Sequence, residues 1–156
     1  MKRLRVYVDT SVIGGCLDEE FSEYSQILIQ RARAGEVVLV VSEVTELELA
    51  GAREEVRAVL TNLPAEAVER VELTEEARTL AQHYITAGVI SPKMLADARH
   101  IGIATVQRVD VLASWNFKHI VNLRRVHGYN SINLREGYPL LEIRSPRELT
   151  NDAEED

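Results

Sequence analysis

The run Val37-Val38-Leu39-Val40-Val41 limits the fold more than any other stretch of this chain. An uninterrupted apolar run does not suit a strand with one wet face, and its shortness argues against a helix. All but Leu39 are β-branched, which favours the pleated conformation. A strand buried on both sides needs neighbouring strands and helices over both faces, the arrangement of a parallel sheet. Val6-Tyr7-Val8 and Asp110-Val111-Leu112-Ala113-Ser114 read as two more short strands of this kind.

Helical spacing fills the intervals. It predicts helices over about Ser22–Ala34, from the cap Ser42 to Gly51, and over Arg53–Leu60, stopped by Asn62-Leu63-Pro64. Others run from Thr74 to Gly88, onward from Ser91-Pro92, and within Leu123–Arg135 before Gly137. Thr10-Ser11 reads as a turn, Gly14-Gly15 as loosened backbone, and Val68–Leu73 as a short strand or extended connector. Leu140–Ile143 reads as a final strand before Ser145-Pro146. No period repeats, so solenoids are excluded. The expectation is one α/β domain over residues 1–150, with helices on both faces of the sheet. Residues 151–156 form an acidic end expected to fray.

Composition narrows the function classes. With 156 residues, 46% hydrophobic and 28% charged, the chain has the balance of a soluble globular protein. The single Cys16 excludes an internal disulfide, and no Cys/His cluster suggests zinc. No signal peptide and no membrane-length apolar run is visible, so the cytoplasm is the expected compartment. A net charge of −7 argues against gripping nucleic acid by bulk electrostatics. Asp152, Glu154, Glu155 and Asp156 supply part of it; between Asn116 and Leu149 the bases Lys118, Arg124, Arg125, Arg135, Arg144 and Arg147 outnumber the acids.

Asp9 directly follows the first strand, and ligands of open α/β sheets bind along the edge where strands end. It is equally a good helix cap, and on this segment alone both readings stand. Glu48 lies between Leu47 and Leu49, near an apolar boundary, whereas Glu43 and Glu46 are expected in solvent. Asp97 and His100 share a helix face. Asn116 follows the third strand. These positions can converge on one edge of the sheet.

With those residues in place the chain resembles a PIN domain, the family that includes the VapC-type ribonuclease toxins. The resemblance rests on Val8-Asp9-Thr10-Ser11, Thr45-Glu46-Leu47-Glu48-Leu49, Asp97-Ala98-Arg99-His100-Ile101 and Val111-Leu112-Ala113-Ser114-Trp115-Asn116-Phe117, in register along nearly the whole chain. It implies a three-layer α/β/α fold with a mainly parallel sheet and an acidic cluster that binds Mg²⁺ or Mn²⁺. It also implies hydrolysis of phosphodiesters, most often in RNA. Asp9, Glu48 and Asp97 match the family's first three carboxylates and are the expected metal ligands. Asn116 stands where many members place a fourth acid, which puts a second metal in doubt. An antitoxin partner and a homodimer are further implications.

The chemistry suits that assignment. Clustered carboxylates repel one another unless a proton or cation intervenes, and their hard oxygens favour Mg²⁺ or Mn²⁺. A bound cation makes hydroxide available near neutral pH and offsets charge building on phosphorus. Attack is therefore assigned to water and not to Ser11 or Thr10. Ser11 is a candidate to hydrogen-bond a ligand or phosphate, His100 to support the site from behind, Lys118 to meet phosphate. Trp115 is a candidate to stack on a base, as aromatics do for single strands, but is rather expected to pack beneath the site. Two other classes stay open: a non-catalytic PIN-like interaction module, and an aspartyl-phosphate phosphatase or phosphotransferase. For the latter, Ser11 occupies the place where a second Asp is wanted.

Overall fold

The computed structural model describes residues 3–151. The acidic residues 152–156 lie outside the described residues. The strands are β1 (Leu4–Val8), β2 (Val37–Ser42), β3 (Val68–Val71), β4 (Val111–Ala113) and β5 (Ile143–Arg144). The helices are α1 (Thr10–Gly15), α2 (Ser22–Arg33), α3 (Glu43–Ala50), α4 (Glu54–Thr61), α5 (Glu75–Thr86), α6 (Leu95–Val106), α7 (Leu123–Arg135) and α8 (Pro146–Asn151). All strand pairs are parallel, in the order β3-β2-β1-β4-β5. This is the three-layer α/β/α arrangement that the apolar runs predict.

Period-two alternation sorts the sheet into two cores. Val6, Val8, Leu39, Val41, Val111 and Ala113 turn to one face, under α1, α2 and α4. Tyr7, Val40 and Leu112 turn to the other, under α5, α6 and α7. Helix α3 bridges the layers at the end of the sheet, with Val44 in one core and Leu49 in the other. No helix among the described residues is long and apolar enough to cross a membrane.

The strand order places a functional crevice. From β1 the chain winds outward through β2 to β3, then returns to add β4 and β5 on the other side of β1. The winding direction thus reverses between β1 and β4, and ligand sites of such sheets open at the strand ends beside that reversal. Asp9 follows β1, and Ser114 to Asn116 follow β4.

Four local expectations need correction. Thr10-Ser11 opens the helix α1, and Gly14-Gly15 are helical within it. Gly15 is there for close approach: a Cβ would lie 2.7 Å from Ser25 Oγ and 2.9 Å from Trp115 Nε1. The last strand is only Ile143–Arg144, because the side chain of Asn130 binds both the amide and the carbonyl of Leu141. Ser145 caps a further helix, α8, which the sequence reading did not name. Ser145 Oγ accepts from Glu148 N at 3.3 Å and Glu148 Oε1 accepts from Ser145 N at 3.1 Å, a reciprocal capping box. Asn151, assigned to the frayed end, closes this helix.

Candidate active site

Asp9 is almost fully buried, at 4% exposure. Its Oδ1 accepts from Ser11 Oγ at 2.6 Å and from Val12 N at 3.3 Å, and its Oδ2 accepts from Ser114 Oγ at 2.6 Å. It therefore caps α1 and faces the crevice at once. Each serine hydroxyl also accepts a backbone N–H, Ser11 from Trp115 and Ser114 from Asn116, both at 2.9 Å. Burial pushes the Asp9 carboxyl up; nearby His100 and the donors Ser11, Ser114 and Val12 N oppose it.

Glu48 reaches the same edge from α3. Its Oε1 accepts from His100 Nε2 at 2.7 Å and from Thr10 Oγ1 at 2.9 Å. The hydrogen bond from His100 holds the carboxyl below its ordinary value, against partial burial. His100 is 1% exposed, and its Nδ1 meets Tyr7 Oη at 2.6 Å, which in turn meets Ser42 Oγ at 2.7 Å. Ser42 Oγ accepts from Val44 N and Thr45 N, as the cap of α3. A carboxylate only accepts, so His100 Nε2 carries hydrogen. With a neutral ring the chain has one direction: Ser42 donates to Tyr7, Tyr7 to Nδ1, and Nε2 to Glu48. Burial also raises the Tyr7 phenol, which keeps it a donor.

Asp97 lies in the first turn of α6. Burial raises its carboxyl first; Asp9 and Glu48 add repulsion, while His100 and His119 offset part of it. Asp97 therefore stands within the field of the other two carboxylates. Asn116 Nδ2 donates to Asp97 Oδ2 at 3.3 Å. Asn116 Oδ1 accepts from Lys118 N at 3.2 Å and His119 N at 2.9 Å. Those two amides settle which end of the Asn116 side chain faces the site: the amino end, not the oxygen.

Trp115 packs beneath the site, stacked on Phe21 with centroids 4.4 Å apart, its indole N–H donating to Ser25 Oγ. Lys118 is exposed beside the site, its ammonium without a partner among the described residues. The basic rim is weaker than its count suggests. Arg135 pairs with Glu136, Arg144 with Glu142 and Glu148, and Arg147 lies over the Tyr24 ring. Glu43 and Glu46 are exposed, yet bound: Glu43 accepts from Leu73 N and Glu46 pairs with Arg70. Ser114 and Tyr7 are the site residues that sequence reasoning passed over. A tyrosine between two buried valines was the available signal, since a buried phenol needs a partner.

Among the described residues no group of three or more His, Cys, Asp or Glu is drawn together tightly enough to hold a bare metal ion. A closed cage is thus excluded, but Mg²⁺ keeps most of its waters and binds through one or two carboxylates. Glu48 Oε2 and Asp97 Oδ1, without hydrogen-bond partners among the described residues, fit that looser demand.

No protein-family model matches this chain, and no curated protein matches it in sequence. Solved structures do. VapBC2 from Rickettsia felis, bound to a DNA fragment from its promoter, is similar at 13% identity and TM-score 0.57, covering 91% of this chain and 98% of that one. DNA-bound VapBC from Salmonella typhimurium is similar at 14% identity and TM-score 0.55, covering 92% and 98%. Mycobacterium tuberculosis VapC20, a sarcin-ricin loop cleaving toxin, gives 12% identity and TM-score 0.50 over 72% and 91%. At such identities the likeness establishes the fold: the chain folds as a PIN domain.

Proposed function

We propose that this chain is a divalent-cation-dependent endoribonuclease, the toxin of a toxin–antitoxin pair. The observation that carries the reading is the placement of Asp9, Glu48 and Asp97 around the strand ends beside the β1–β4 reversal, with Glu48 bound by Thr10, next to Asp9, and by His100 of the helix that carries Asp97. Such a site gathers charge that a cation relieves. Glu48 and Asp97 would hold Mg²⁺ or Mn²⁺, with Asp9 behind them. The cation, when bound, would act as a Lewis acid on water and phosphate. The chain's own parts do the rest: His100 and Thr10 orient Glu48, Ser11 and Ser114 orient Asp9, and exposed Lys118 draws the phosphate in. The similar VapBC complexes support an antitoxin partner; the similar VapC20, a sarcin-ricin loop cleaving toxin, supports RNA as substrate.

One observation favours a second reading, a non-catalytic module: Asn116 turns a neutral amino group to Asp97 where many relatives would place an acid. The aspartyl-phosphate reading is disfavoured, because both oxygens of Asp9 are engaged and buried. Incubation of pooled single-stranded RNA with Mn²⁺, Mg²⁺ or chelator tests the proposal, with Asp97→Asn as control. Cleavage in both cation arms, lost with chelator and in the variant, is the expected result. Cation binding without cleavage leaves the module.

A further inference from the structure

We propose that the recess next to Asp9 seats one nucleobase of the substrate strand, beside the phosphate that the carboxylates address. This rests on the nuclease reading and adds what that reading lacks, a contact that senses a base. The recess measures about 290 Å³. That is the lower end of ligand pockets, room for a single planar ring system. Two of its walls belong to the carboxylate site: Ser11, which donates to Asp9, and Asn116, which donates to Asp97. A strand whose phosphate lies at the carboxylates has its neighbouring base at the mouth of this recess.

The lining chooses the class of ligand. Phe21 and Trp115 line it, and among the described residues no Lys or Arg does. Asp18 also lines it, its Oδ1 accepting from Glu20 N. A phosphate or carboxylate meets repulsion there, whereas a base offers a π-face to the aromatics and N–H groups to an acceptor-only carboxylate. Phe117, half exposed at 50%, lies edge-on to Trp115 with centroids 6.2 Å apart and supplies a further ring beside the mouth. The backbone keeps the space open. Gly14 lines the recess, and a Cβ built there meets nothing within 4 Å.

The only tryptophan of the chain lies in this recess, so its fluorescence reports occupancy without any turnover. The full chain, in chelator, is titrated with nucleoside 5′-monophosphates and with ribose 5-phosphate, and a short RNA is compared with copies carrying one abasic position. Nucleotides are expected to quench Trp115 and ribose 5-phosphate is not. Gly14→Val, which fills the recess, and Phe117→Ala, at an exposed ring, should each weaken nucleotide binding about tenfold with melting temperatures near the parent's. Equal quenching by nucleotide and ribose phosphate overturns the proposal, as does nucleotide affinity within twofold of the parent in both variants. Cleavage by the parent, assayed alongside, separates the two failures. Cleavage that ignores the abasic position keeps the nuclease and removes the base seat. Base-dependent quenching without cleavage keeps the seat and removes the nuclease. A recess made instead for an apolar side chain of a protein partner shows no nucleotide effect, which also overturns the proposal.

Discussion

Asp97→Asn isolates charge from structure better than any other change at this site. The carboxyl is raised by burial and then by Asp9 and Glu48, and its one hydrogen bond is accepted from Asn116 Nδ2. An asparagine oxygen still accepts that bond while the negative charge disappears. In the metal-free protein the variant should therefore melt slightly higher than the parent, by roughly 0.5 kcal/mol or 1–2 °C once solvent screening of this partly open group is allowed for. Asp9→Asn differs, although Asp9 is the more deeply buried of the two. An amide there points its N–H₂ at a serine that needs an acceptor, which costs about 1 kcal/mol and cancels any relief. Metal then reverses the ranking. A cation that binds only the folded chain adds about 1.4 kcal/mol at tenfold excess over Kd, a rise of roughly 3–6 °C for a domain of this length. Asp97→Asn should lose most of that rise. Calorimetric melts of parent and both variants, in chelator and in Mn²⁺ at matched ionic strength, decide it. Equal metal-induced shifts in parent and Asp97→Asn would refute the reasoning, because the cation would then bind away from the carboxylates.

Three further outcomes are expected. Tyr7→Phe removes the hydroxyl that sets the His100 ring and should weaken Mn²⁺ binding about tenfold, while His100→Gln, which keeps a donor for Glu48, loses less than His100→Ala; isothermal titration measures the order. Asn116→Asp keeps an oxygen for Lys118 N and His119 N but turns its other oxygen on Asp97, so apo stability should fall and cation affinity rise about tenfold; unchanged affinity detaches Asn116 from the site. Asp9 and Asp97 have folded pKa values above their unfolded ones, so their contribution is full below about pH 4 and is lost as pH rises through the raised values. Glu48, held low, contributes in the opposite sense, above its unfolded value. Apo melting temperature should then fall from weakly acid to neutral pH, and more gently in Asp97→Asn; a slope unchanged by that variant rules out Asp97 as its source.

Much of the fold was legible because local signals agreed with the global arrangement. The apolar run gave β2, Ser42 and Thr74 gave the starts of α3 and α5, and Gly35, Gly88 and Gly137 stand at positive φ just beyond α2, α5 and α7. Strand order was not legible. A buried parallel strand looks the same in sequence whether it is central or second from the edge, so the reversal between β1 and β4 appears only in three dimensions. The capping box of Ser145 and Glu148 was written in the chain, with Pro146 as a first-turn residue, but the helix it opens was not named. At the site, residue types were readable and orientations were not. The Asn116 amide is turned by backbone N–H groups two and three residues on, a contact set by the path of a loop. Ser114 reaches Asp9 only because β4 lies next to β1 in register, with Val8 beside Ala113.

The two readings of Asp9, helix cap and site residue, describe one arrangement. Val12 N at 3.3 Å is the weakest of its three donors; the serine hydroxyls at 2.6 Å hold the carboxylate. Ser11 and Ser114 each accept a backbone N–H from the segment after β4, and a hydroxyl has one hydrogen, so that hydrogen goes to Asp9. The carboxylate is thereby tied to the ends of the adjacent strands β1 and β4 and supplied with donors on both oxygens. It is satisfied as an anion without any cation, although burial opposes its charge. Glu48 and Asp97 each keep one oxygen without such a partner among the described residues. The cation's effect on stability should accordingly pass through Glu48 and Asp97, while Asp9 keeps the two strand ends in place around it. For that reason a change at Asp97 tests the charge of the site, and a change at Asp9 tests mainly its frame.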